Sequence, residues 1–100
     1  MAKVNSHTRH TAILSAASSM AIKAGLNNIK RDVVAKHAKV ATGTVSYHFK
    51  SMDALRDKIV SDAIQNENVP LLAKAMAEGH PAVKNLPVLL KRKVALHIAG

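Results

Sequence analysis

Cysteine and tryptophan are absent from this chain, and the aromatic side chains of Tyr47 and Phe49 are its only two. Without cysteine there is no disulfide framework and no thiolate metal site, which suits a reducing cytoplasm. No apolar run approaches the roughly 18 residues that a membrane span needs. Acids are scarce as well: six Asp and Glu stand against fifteen Lys and Arg, for a net charge of +9. At 100 residues the chain reads as one compact unit, or one with a short appendage, with a core but little room for an enclosed cavity.

The positive charge is unevenly placed. Residues 1–50 carry eight Lys and Arg against the single acid Asp32, whereas residues 51–100 carry seven against five acids. A positive field concentrated on the front half favours a polyanion as partner. The N-terminal stretch "TAILSAASSMAIKAG" behind Lys3 and Arg9 faintly imitates a secretory signal. Ser15, Ser18 and Ser19 break it, and Ile13, Ala17, Met20 and Ala24 recur at helical spacing, so it reads as an amphipathic helix.

The fold class read from the chain is all-α. Alanine is abundant and strand-like alternation is missing. Met1 to Asn5 reads as a loose basic arm. Ser6 or Thr8 caps helix one, which runs to Ala24 and stops at Gly25. Asn27 or Asn28 caps helix two, with Ile29, Val33, Val34 and Ala38 facing inward. Thr42 or Ala41 opens a short helix three that runs through Phe49. Ser51 caps helix four, whose Met52, Leu55, Ile59 and Ala63 face the core to about Asn66. The three prolines, Pro70, Pro81 and Pro87, all follow; they suit first turns, and helices are expected at about 69–78 and 87–98. The organisation expected is a helix-turn-helix domain over 1–50, then helix four and a short helical dimerisation region over 51–100.

Residues 29–49 fit a helix-turn-helix physically. Ala35 is small enough for a second helix to cross closely, and Val34, Ala38, Val40 and Val45 make a compact apolar junction. The second helix of such motifs enters the major groove, with its N-terminal residues at base edges.

"AILSAASSMAIKAG" followed by "VVAKHAKVATGTVSYHFKSMDAL" carries a resemblance. From Thr11 to Leu55 the chain is similar to the N-terminal DNA-binding domain of TetR-family repressors. The shared features are the Ile-Leu-x-Ala-Ala opening, the glycine ending helix one, and the Ala-x-x-Ala turn. The Tyr-x-His-Phe ending and the following Ser-x-x-x-Leu step complete them in part. The turn glycine of the family is Lys39 here, a usual tyrosine is Ser46, and a usual lysine is Met52. Ser46 shortens a side chain expected near the bases. Met52 cannot hold the phosphate that the usual lysine would, and Lys50 can substitute for it. Family members append a larger helical domain for dimerisation and inducer binding, of which only the residues after helix four have a counterpart.

The resemblance implies a DNA-binding face. Lys30 and Arg31, expected in the first turn of helix two, meet phosphates or a neighbouring base. Thr42, Thr44 and Ser46 reach base edges, and Gly43 lets the helix end come close. Tyr47 and His48 face the backbone, although half-buried packing for Tyr47 and capping for His48 stay open at this point. Lys39 and Lys50 add phosphate contacts, with Lys3 and Arg9 as auxiliaries. Phe49 plugs the junction of helices three and four.

Other classes fit less well. Asp53 and Asp57 at i and i+4 read as a solvated face, and the six histidines are scattered. No enzyme, cofactor or metal site is therefore expected. A protein-interaction module using "PVLLKRKVALHI" as a partner helix is the alternative, and nonspecific DNA coating is another. The expected function is a small sequence-specific regulator of transcription, a repressor on double-stranded DNA, bacterial or encoded by a mobile element and cytoplasmic. It is expected to bind a palindrome as a homodimer through the residues after Asn66, away from membranes. With so few residues after helix four, a small-molecule inducer pocket is not expected.

Overall fold

Gly25 ends the first helix because the chain there takes φ +97° and ψ 154°, a backbone essentially restricted to glycine. In this computed structural model residues 6–100 are described, with side chains from Thr8 onward. The basic arm with Lys3 and the side chain of His7 lie outside the described residues. Helix α1 spans Ser6–Ala24, so its capping contacts lie outside them too. It is followed by α2 (Arg31–Ala38), α3 (Thr42–His48), α4 (Met52–Gln65), α5 (Val69–Ala77) and α6 (Val88–Ala99). Tight 3-10 turns occupy Leu26–Asn28 and Pro81–Asn85, and no strand occurs among the described residues. The all-α reading holds.

One continuous core runs through these helices. Ile13, Ala17 and Ala21 of α1 share it with Val34 and Ala35 of α2, Val45 of α3, and Leu55, Ile59, Val60 and Ala63 of α4. The buried stripe of α1 is thus Ile13–Ala17–Ala21, while Ala24, expected on it, is exposed. Val33 likewise turns outward at the start of α2, and Val34 with Ala35 takes the inward side. Leu71, Leu72 and Ala75 of α5 are fully enclosed, as are Leu90 and Val94 of α6 to within a few per cent. Burying each such leucine contributes about 1.5–3 kcal/mol.

Three helix ends share one hydrogen-bond pattern, a six-residue back-bond outside a shorter one. Val40 N donates to Ala35 O and Lys39 N to Lys36 O; Asn68 N donates to Ala63 O and Glu67 N to Ile64 O; His80 N donates to Ala75 O and Gly79 N to Met76 O. This pattern needs a left-handed residue, for which glycine has no steric cost. Only Gly79 (φ 71°) obeys that preference; Glu67 (φ 52°) and Lys39 (φ 60°) carry full side chains. Glu67 forms an ion pair with Lys93 at 2.7 Å. Lys39 has no such partner among the described residues.

The start of α2 differs from its expected form. Neither Asn27 nor Asn28 caps it. Both lie in the preceding 3-10 turn, where Asn28 Nδ2 donates back to Ala24 O at 2.6 Å. Lys30 is the extended residue before α2 and provides no side-chain cap. Helix α4 begins as expected, with Ser51 Oγ accepting from Ala54 N at 3.0 Å.

Candidate nucleic-acid interface

Helix α3 is short, and its outward side carries residues expected at base and backbone contact. Thr42, Gly43 and Tyr47 are exposed, Tyr47 at 73%, while Thr44, Ser46 and His48 are half-buried. Val45 and Phe49 anchor its inner side. High exposure removes half-buried packing as an account of Tyr47. A Cβ built on Gly43 meets nothing within 4 Å. None of the described residues therefore requires glycine there.

Helix α1 completes this face. Arg9 borders a depression shared with Gly43, Thr44, Tyr47 and His48. A second depression on its other side is lined by Ala12, Ala38, Lys39 and Val40. One guanidinium thus lies between the N-terminal half of α3 and the turn that precedes it. Sequence spacing placed Arg9 only as an auxiliary, since nothing local shows that α1 crosses beside α3. Lys30 and Arg31 sit at the other end of α2 from Lys39 and border neither depression. Arg31 Nε is enclosed and has no hydrogen-bond partner among the described residues, leaving a buried donor to be satisfied.

His10 secures the back of the face. Its ring stacks on Phe49 with centroids 4.8 Å apart and meets His48 edge-on at 5.5 Å, while His48 meets Tyr47 edge-on at 5.2 Å. Phe49, expected to plug α3 against α4, is therefore also the link to α1.

The ion pairs among the described residues all involve α4 or the segments after it: Arg56–Asp53, Lys58–Asp62, His80–Asp57 and Lys93–Glu67. Lys74, Lys84, Lys91 and Arg92 make none. Arg9, Lys30, Arg31, Lys36, Lys39 and Lys50 make no ion pair among the described residues. Unpaired cations around an exposed helix end suit the densely charged backbone of a nucleic acid, where counterion release drives binding. A separate groove between α1 and α4, lined by Leu14, Ser15, Ser18, Lys58 and Asp62, lacks that field because its lysine and aspartate pair at 3.2 Å. No group of three or more potential metal ligands occurs among the described residues. No helix there is long and apolar enough to cross a membrane.

Comparison with known families agrees with this geometry. Residues 13–59 match the family described as bacterial regulatory proteins, tetR family. No curated protein and no solved structure matches the chain. The matched segment starts at the first core residue of α1, contains α2 and α3, and ends within α4. Residues 13–59 are a TetR-family N-terminal helix-turn-helix domain, the DNA-binding domain of a transcriptional regulator.

Proposed function

We propose that this protein represses transcription by occupying a palindromic operator as a homodimer, with α3 of each copy in a major groove. The exposed N-terminal half of α3, flanked by Arg9 and Lys39, which make no ion pair among the described residues, is the observation that carries the reading. In it Thr42, Thr44 and Ser46 contact base edges, and the Thr44 methyl can meet a thymine methyl. Gly43 allows close approach, Tyr47 and His48 lie along the backbone, and Lys30, Arg31, Lys39 and Lys50 hold phosphates. One recognition helix reads too few base pairs for specificity in a genome, which calls for two copies.

The outer side of α6 supports the second copy. Val88, Leu89, Leu96 and Ile98 are 75, 71, 66 and 56% exposed, and Leu89 and Leu96, seven apart, share one helix face. Residues 79–100 contain four Lys and Arg and no acid. That imbalance favours, as a second reading, an acidic helix of another protein on the same surface.

Selection of bound duplexes from a random-sequence pool tests the proposal. A palindrome with half-sites about one helical turn apart, or slightly more, is expected. Enrichment of no sequence would contradict operator recognition, and enrichment of a single half-site would contradict the dimer.

A further inference from the structure

The 3-10 turn between α1 and α2 is held from a distance. Its leading N–H groups have no acceptor within the turn, and the carboxylate of Glu78, just past α5, takes both. Leu26 N donates to Oε2 at 2.6 Å and Asn27 N donates to Oε1 at 2.9 Å. Charge-assisted bonds of this length are the stronger class. Gly25 makes the approach possible, because a Cβ there would stand 3.2 Å from Oε1. On the other side of the turn, Arg56 Nε of α4 donates to Leu26 O at 2.9 Å while its Nη1 pairs with Asp53.

The end of α5 is fixed in turn. Ala82 N donates to Nδ1 of His80, which leaves Nε2 to carry the proton toward Asp57 Oδ1 on α4 at 2.9 Å. Leu26 and Ile29 are buried to within 2%, so the turn cannot rotate without opening the core. Lys30 and Arg31 follow directly.

We infer that Glu78 is a positioning residue for DNA binding: its carboxylate sets the turn that places Lys30 and Arg31 at the phosphates, and so ties the C-terminal helices to the DNA face. This rests on the phosphate role proposed above for those two residues. It carries a sign that charge alone would reverse. Removing an acid from a DNA-binding protein raises its positive charge and should tighten binding. Removing Glu78 should weaken it.

The test uses the full chain and the duplex that the wild-type protein enriches from a random-sequence pool. Affinity is measured across a salt series, well below the melting temperature of each variant. Glu78→Ala is expected to weaken binding on the order of tenfold and to make the log–log salt slope shallower by about 1 to 2, as removal of one or two phosphate partners would. Glu78→Gln keeps one acceptor oxygen but turns an NH2 toward the other N–H, and should fall between. Adding Arg31→Ala to Glu78→Ala should change little, because a displaced Arg31 no longer reaches its phosphate. Glu67→Gln, which removes an acid elsewhere, should not weaken binding. Wild-type or tighter affinity for Glu78→Ala with an unchanged slope, while Arg31→Ala alone weakens binding, would overturn the role of Glu78. Arg31→Ala binding like wild type would instead remove Arg31 from the interface, and the inference with it.

Discussion

The imidazole of His10 lies stacked on the ring of Phe49, centroids 4.8 Å apart and planes inclined by 28°. Through this stacking helix α1 grips the residue that closes α3. A chain with only one phenylalanine places it where α3 is fixed against α1. Phe49→Ala should therefore destabilise the fold by about 3–5 kcal/mol, as a truncated core aromatic does. His10→Ala should cost only about 0.5–1.5 kcal/mol, the scale of an aromatic pair. Urea unfolding of both variants measures the difference. Equal, small effects would mean that Phe49 is not the anchor.

Lys39 and Glu67 occupy the same left-handed position at the ends of α2 and α4, yet of the two only Glu67 has a counter-charge among the described residues. Glycine at either site should relieve roughly 1 kcal/mol of backbone strain. For Glu67→Gly, removal of the exposed Lys93 pair offsets little of that gain. Lys39→Gly should likewise raise the melting temperature, but it should also weaken DNA binding at low salt, an effect absent in Glu67→Gly. Unchanged DNA affinity for Lys39→Gly would leave the lysine without a role.

Gly43 has open space where a side chain would go. In a helix interior, alanine is favoured over glycine by about 1 kcal/mol. Gly43→Ala is expected to stabilise the protein and to weaken operator binding, because the added methyl occupies the space into which DNA must come. A variant that is more stable and binds equally well would show that α3 does not dock this closely.

The degree to which the chain could be read from its residues varied with the range of the forces involved. Helix ends governed by neighbours were legible: Gly25, Ser51 and the proline-led starts of α5 and the turn at Pro81 lie where expected. The start of α2 was not, because the N–H groups of the turn before it are taken by Glu78, some fifty residues away in sequence. Helix α3 was legible from its small polar residues, whereas the place of Arg9 depends on how α1 packs beside α3. In the C-terminal segment the apolar residues could be counted but not sorted. Leu71, Leu72, Leu90 and Val94 are spent on the chain's own core, and Leu89, Leu96, Ile98 and Val88 are left outside.

That sorting decides how assembly is tested. Truncation after Asn66 would strip Leu71 and Leu72 from the core and unfold the protein, so surface substitutions are needed. Leu89→Asp with Leu96→Asp should leave the melting transition nearly unchanged, since both side chains are exposed. Sedimentation should then shift from dimer to monomer, with a fall in operator affinity. A wild-type protein that is monomeric both free and on its selected duplex would contradict the homodimer.

Arg9, Lys39 and Lys50, which make no ion pair among the described residues, belong to the proposed DNA face, and a salt titration tests it most directly. With about 4–6 phosphate contacts per copy, the plot of log affinity against log salt should have a slope near −4 to −5 per half-site. A slope near zero on every duplex tried would contradict binding through this face.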